Sequence, residues 1–561
     1  MKKTNYKTIS AALSRVLYIL IVFAFCSGTF IFSQPSQVWI KTFHNQSGTG
    51  NDFCEKSVID ADGNSYLACR TRTASTSDDI LLLKYNSAGT LLWSKTYNYS
   101  YNGIEQPNDI CLDNQGNIYV TGTSTRGVGG YYDAVLLKFD MNGNILWVKR
   151  IGKTNFSDRT SEGVSVIAGS YIYTGVSFDY NGSSECGIVK FAANGDSLAY
   201  HSLGIAANSS YRMVKMTTDN SLNYYVICTG NILPNEDEDF MIKKINTNGN
   251  ITQVWSKTFT GTSHLGDRGN DIALGPDGNV FVTGYTEVNN QSYNVLLLKL
   301  GRDDGAVLMQ KTYNDAISNY METGYKISFD QNSNIIVGAY ASVLGGNSDI
   351  LLLKYSPTGT SLWIKKYDHP GDRNESVSDM KTDNAGNIYV ISNTFSQQAQ
   401  TTGLLTAKFS AAGDLEWYIE KEGLSTYNGV SSLNMDTDGS LLVSGYIQED
   451  GVNKTVLIKY GSTIGIAPVS NTIPEKFTLS QNYPNPFNPS TAIKMQIPQE
   501  GFVKLKVFDV TGKEAAVLVN EKLNAGEYKI DFNASGLTSG VYFYRLETAD
   551  FTDVKKMILV K

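Results

Sequence analysis

The sequence of 561 residues contains no Cys-x-x-Cys pair, which argues against zinc and dithiol redox chemistry. Charge is sparse at 18% of residues, and with a formal net charge of -7 there is no basic excess. Nucleic acid and anionic lipid are therefore not expected partners. The four histidines and the carboxylates do not converge in any pattern that marks a general acid with its base, so no catalytic residues are assigned. Disorder is excluded as well, because 41% of the chain is apolar. The 51 glycines, 34 tyrosines and 23 phenylalanines favour short strands joined by tight turns over long helices.

The chain starts with a basic segment and an apolar run from Val16 to Phe32, interrupted by Cys26-Ser27-Gly28-Thr29. That is the layout of a signal peptide over residues 1–33, with cleavage expected near Ser33-Gln34. A retained membrane anchor is the alternative, against which the run is short and polar in part. A lipoprotein site at Cys26 would need a small residue where Phe25 stands. The leader carries Lys2, Lys3, Lys7 and Arg15 and no acid, so its removal takes the formal charge from -7 to -11. Five cysteines then remain, Cys54, Cys69, Cys111, Cys186 and Cys228. The odd number leaves at least one unpaired, and apolar settings such as Ile110-Cys111-Leu112 suit buried small hydrophobes.

A repeat runs through the body of the chain. All six tryptophans, Trp39, Trp93, Trp147, Trp255, Trp363 and Trp417, fall 54 or 108 residues apart, and His201 and Met309 occupy the two empty marks. A second series begins at Lys84-Tyr85 and Lys138-Phe139 and ends at Lys408-Phe409 and Lys459-Tyr460, giving eight units. Four extended runs make one unit: Asp109 to Leu112, Ile118 to Gly122, Ala134 to Phe139 and Ile145 to Lys149. Between them lie hairpin turns such as Asp113-Asn114-Gln115-Gly116-Asn117, in which Asp bonds its own backbone and Gly supplies positive φ.

A four-stranded unit of about 54 residues cannot bury both of its faces alone, and a ring of such units is a β-propeller. The expected fold is all-β: an eight-bladed propeller over residues 35–460, a linker over 461–475 and a small β-sandwich over 476–561. The last unit lacks a Trp strand, while Val38 to Phe43 is a Trp strand without a unit, so the N-terminal strand is expected to complete the last blade. The tryptophans then read as packing between sheets. Leu81-Leu82-Leu83 and its equivalents read as strands buried on both faces.

Asn270-Asp271-Ile272-Ala273, Gly278 to Gly284 and the Asp-x-Leu-Leu-Leu-Lys-Tyr strand together resemble SBBP-type β-propeller repeats of exported bacterial proteins. Asp140, Gly143 and Trp147 also fit the blade-docking spacing of quinone-dependent propellers, a structural likeness only. No vicinal cysteine pair or cofactor ligand matches, so no cofactor is expected. From Phe477 the chain resembles the type A sorting domain of type IX secretion. The resemblance rests on Asn482-Tyr483-Pro484-Asn485-Pro486-Phe487-Asn488-Pro489, Val507 to Lys513 with Gly512, Gly540 to Leu546, and Lys555-Lys556-Met557-Ile558-Leu559-Val560-Lys561. It implies passage through the periplasm of a Gram-negative bacterium, recognition by the type IX machinery, and release or attachment at the outer-membrane surface.

Ligand groups are sought in the loops that join one unit to the next. Three of these carry Asp-Arg pairs, Asp158-Arg159, Asp267-Arg268 and Asp372-Arg373, and His44, His264 and His369 lie in the same class of connection. Arginines gathered on one face could hold a carboxylate or sugar acid; the plainer reading is that each pair clips neighbouring units together. Metal is not expected, since histidines this far apart need not converge. The leading reading is a monomeric surface-displayed binding or scaffold protein for a glycan, matrix or protein partner. The alternatives are a propeller enzyme, such as a glycosidase, lyase or quinoprotein, and a purely structural envelope component.

Overall fold

The computed structural model describes residue 35 and residues 37–560, apart from 46–49, 73–76, 99–102, 126–131, 153–156, 168–170, 181–182, 207–210, 220, 231–238, 262–264, 290–291, 316–320, 343–346, 371–372, 423–427, 437–438, 462–465, 471–473, 500, 524 and 535–536. The expected leader, His264, Asp372 and Lys561 lie outside the described residues. Among those described, the regular structure is all strand.

Asp52–Ile59, Ser65–Arg72, Asp78–Tyr85 and Leu91–Tyr97 form an antiparallel meander paired in sequence order. The same order recurs in the meanders that start at Glu105, Ser157, Tyr211, Asp267 and Met321. A single parallel pair, Tyr293 with Met321, joins the last two into one larger sheet. In the meander that starts at Arg373, the first strand is split into Arg373–Glu375 and Asp379–Thr382. Gly429–Met435, Leu441–Glu449 and Val452–Tyr460 make three strands of the last meander, and the fourth is Gln37–Phe43, antiparallel to Val452–Tyr460. The first strand of the repeat body and its last meander therefore share one sheet.

Compared with the expected runs, the first strand of the second meander begins earlier, at Glu105, and carries Pro107. A proline lacks the ladder N–H, but an edge strand tolerates it. Six other first strands also break register near their middle, for example between Cys54 and Lys56 and between Gly269 and Asp271. These bulges add twist and re-aim a side chain. Lys326 lies within electrostatic reach of Lys56, Lys215, Asp271 and Asp379, all on first strands of other meanders. First strands thus gather on a common axis, whereas fourth strands carry half-exposed Leu92, Leu146, Leu308 and Leu362. The body is propeller-like.

Burial follows from this layering. Third strands face a neighbouring sheet on each side, and Leu81 to Leu83, Leu296 to Leu298 and Leu351 to Leu353 are all fully buried. Three tryptophan edges are held by the next meander. Trp147 Nε1 and Lys138 Nζ both donate to Ala193 O, at 3.2 and 3.3 Å. Trp255 and Lys244 donate to Arg302 O at 3.1 and 2.9 Å, and Trp363 and Lys354 to Ala411 O at 3.3 and 3.0 Å. The turn that offers the carbonyl also presses a glycine onto the indole: Gly305, at φ +64°, would bring a Cβ to 2.7 Å from Trp255. The first meander meets the last through Ser57 Oγ and Ser444 Oγ at 2.8 Å, and Asn434 Nδ2 donates to Ser57 O at 3.2 Å.

The C-terminal module has two four-stranded sheets around one core that includes Phe487, Ile493, Leu505, Tyr544 and Met557. Alternation in Val503-Lys504-Leu505-Lys506-Val507 produces this directly, since the three apolar residues are fully buried. The segment read as linker contributes a strand, Ile466–Ser470, paired to Gly526–Asn533.

Candidate functional site

Five first strands carry a buried acid at or near their start: Asp52, Glu105, Asp267, Glu322 and Glu375. Asp52 Oδ2 accepts from His44 Nδ1 at 2.9 Å and from the Asn45 amide at 2.8 Å. Asp267 Oδ2 accepts from the Gly261 amide, and Glu322 Oε1 from the Asp315 amide at 3.0 Å. Glu105 Oε1 accepts from Ser124 Oγ at 2.8 Å. Burial raises the carboxyl of Asp267 above its usual range and pushes Glu322 up to about 7. Glu375 goes up to about 8, from burial first and then the charge of Asp349.

Among the expected Asp-Arg pairs, Asp267 is fully buried while Arg268 is exposed. Neighbours in a strand point to opposite faces, so adjacency in sequence separates these two groups. Asp158 and Arg159 lie on Ser157–Ile167, in register with Phe178 and Ser177. Arg373 Nη1 pairs with Glu420 Oε1 at 2.9 Å, and the buried His369 brings Nε2 to 3.2 Å from Glu420 Oε2. Thr394 Oγ1 also donates to Glu420. His369 and Arg373 are therefore brought together on one carboxylate, while His44 is held on Asp52 in another connection. Thr42, Phe43, His44 and Lys454 line an open recess there.

The axis carries a second set of groups, which the repeat pattern did not single out. Four residues beyond the five acids stand Lys56, Asp109, Asp271, Lys326 and Asp379, and Lys215 and Ser432 lie on two further first strands. Lys215 Nζ bonds Asp271 Oδ1, and Asp271 Oδ2 accepts from the Ile327 amide at 2.9 Å. Lys326 Nζ lies 3.9 Å from Asp379 Oδ1. Burial lowers the Lys326 ammonium below its usual range. For Asp379 burial acts upward, but Lys326, Lys381 and the Leu433 amide bring it below the usual carboxylate range. The signal available in sequence was the constant phase of these positions, obscured because lysine and aspartate alternate there.

Hairpin aspartates are occupied by their own turns. Asp60 Oδ1 accepts from the Asp62 and Asn64 amides, and Oδ2 from Asn64 Nδ2 and Tyr66 OH. Among the described residues, no group of three or more His, Cys, Asp or Glu side chains is placed to hold a metal ion.

In the C-terminal module the proline-rich segment is bound along the last strand, Thr552–Leu559. Asn485 Oδ1 accepts from the Ile558 amide at 2.9 Å, and its Nδ2 donates to Lys556 O at 3.3 Å. Phe487 N donates to Ile558 O and Val560 N to Phe487 O, both at 2.9 Å, with the Phe487 ring buried. Pro484 O accepts from Thr491 Oγ1 at 2.7 Å and Pro489 O from the Ala534 amide at 2.9 Å. Pro486 and Asn488 complete the segment. Gly512, at φ +82°, closes the turn built on Asp509, and Gly540 opens the strand Gly540–Glu547. Lys555 pairs with Asp553 at 3.1 Å, whereas Lys556 and Val560 are exposed.

Residues 481–561 match the family model of the secretion system C-terminal sorting domain. This is a sorting domain of type IX secretion, a module that engages the type IX machinery. The protein is accordingly secreted or displayed at the cell surface of a Gram-negative bacterium. No curated protein matches the chain. Among solved structures, an ulvan lyase of a polysaccharide lyase family aligns at TM-score 0.42 and 11% identity, over 75% of this chain and 96% of that one. The WD40 domain of SCAP from fission yeast aligns at TM-score 0.40 and 10% identity, over 77% and 98%. The β-propeller domain of the trilobed protease from Pyrococcus furiosus gives TM-score 0.36 and 10% identity, over 63% and 93%. Likeness at this level carries no argument about ligand or activity.

Proposed function

We propose that the mature chain is a closed eight-bladed propeller of SBBP-type repeats that acts as an extracellular binding or scaffold protein. In this reading the signal peptide and the sorting domain deliver it, and a glycan, matrix or protein partner is held on the loop face. One observation carries the proposal. Asp52, Asp267 and Glu322 at the loop bases accept hydrogen bonds from loop backbone amides, which suits rigid loop presentation better than proton transfer. Pairing of Gln37–Phe43 with Val452–Tyr460 and the contacts of Ser57 with Ser444 and Asn434 support the closed ring.

Binding is assigned to the connections around Arg159, Arg268 and His44, where the exposed Arg268 supplies a planar donor pair for a carboxylate. The test is a glycan array and a surface pull-down with the exported chain and with Arg268→Ala. Selective retention of an acidic glycan or a surface protein, weakened in the variant, is the expected result. Turnover of a polysaccharide without retention would instead assign an enzyme.

A further inference from the structure

Five thiols lie among the described residues, and two of them meet across a boundary between meanders. Cys186 belongs to Ser183–Ala192 and Cys228 to Asn223–Gly230, strands of successive repeats. Their Sγ atoms are 3.2 Å apart, closer than two non-bonded sulfurs ordinarily approach. Both side chains are fully buried in a core with Tyr173, Ile188, Met213, Tyr224 and Val226. A disulfide bond measures about 2.05 Å, so a small shift of two side chains would close it. The protein is also exported, and disulfides persist outside the reducing cytosol.

We propose that Cys186 and Cys228 are joined by a disulfide in the exported protein, a covalent staple between neighbouring repeats. The oxidant is the disulfide of a periplasmic thiol–disulfide oxidoreductase. One cysteine thiolate attacks that disulfide to give a mixed disulfide and releases one enzyme thiol. The second cysteine thiolate then displaces the other enzyme thiol, so two substrate thiols lose two protons and two electrons and the enzyme disulfide takes them up. Burial pushes the Cys186 thiol well above its usual range in the folded chain. The exchange therefore precedes closure of this interface, while thiolate can still form. The two cysteines are 42 residues apart, a loop short enough to close while later repeats are still unfolded. Cys54, Cys69 and Cys111 remain outside this pair.

Full-length protein collected outside the cell, denatured and alkylated without reductant, then digested and weighed by mass spectrometry, tests the assignment. The expected product is one linked pair of peptides containing Cys186 and Cys228, two hydrogen masses lighter than the separate peptides and released by reduction. In Cys186→Ser the same treatment should alkylate Cys228. Complete alkylation of both cysteines in the unreduced wild-type protein would overturn the proposal, as would a link from Cys186 to any other cysteine.

Discussion

Asp379 Oδ2 accepts a hydrogen bond from the Leu433 amide at 3.0 Å, tying the first strand of one repeat to that of the next. Asp271 receives the Ile327 amide in the same way at 2.9 Å. These bonds are part-buried on the shared axis, and each acid also faces a lysine of a neighbouring strand.

Replacing Asp379 by Ala leaves a buried amide and Lys326 without this acceptor. Because a stranded part-buried group costs more than its bond contributed, the variant should lose about 1–3 kcal/mol of stability. Asp379→Asn keeps an oxygen for the Leu433 amide and should lose roughly half as much. Urea denaturation of the two variants beside the wild type measures both.

Glu375 gives the stability a pH dependence. Its carboxyl moves from an ordinary 4.5 to about 8 on folding, through burial and the nearby Asp349, Asp368 and Glu420. Between those values the folded chain holds a proton that the unfolded chain has lost, so stability falls as pH rises through that window. Each unit of displacement corresponds to about 1.4 kcal/mol. Glu375→Gln cannot ionise and should flatten the fall in denaturation midpoint between pH 5 and pH 8, to be read in buffers spaced by about one unit.

The indole latch can be tested at two places. Trp363→Phe removes the donor to Ala411 O while keeping an aromatic ring, and should cost about 1–2 kcal/mol. Gly305→Ala puts a methyl group against Trp255 at a positive φ, and should cost about 1–3 kcal/mol. Thermal unfolding of each full-length variant gives the comparison.

The sorting module makes a cellular prediction. Removal of residues 476–561 should abolish recovery of the protein from the medium and outer surface and leave it in the periplasm. Asn485→Ala, which removes two bonds between the proline-rich segment and the last strand, should destabilise the module by about 1–3 kcal/mol. Immunoblots of fractionated cells and urea denaturation are the respective measurements.

The sequence made the repeat visible because each latch demands one rare residue at one phase. Tryptophan stands at that phase in six copies, and for Trp147, Trp255 and Trp363 the partner carbonyl lies in a glycine turn equally easy to see. The early start of first strands was hidden by Pro107, which a reader of strand patterns takes as a boundary. Lys56, Asp109, Lys215 and Asp271 were hidden for another reason. Repeat recognition rewards identity, whereas these positions are linked by complementary charge across strands far apart in sequence. Asp267 and Arg268 illustrate the converse, neighbours in the chain whose side chains the pleat sends to different surroundings.

The strand Gln37–Phe43 is made first yet has its partner in Val452–Tyr460, made more than four hundred residues later. No product of synthesis that stops before Val452–Tyr460 can seat it. Completion of the body is thereby coupled to arrival of its final repeat just ahead of the export module, and an interrupted chain keeps an unsatisfied β edge that quality-control proteases can grip.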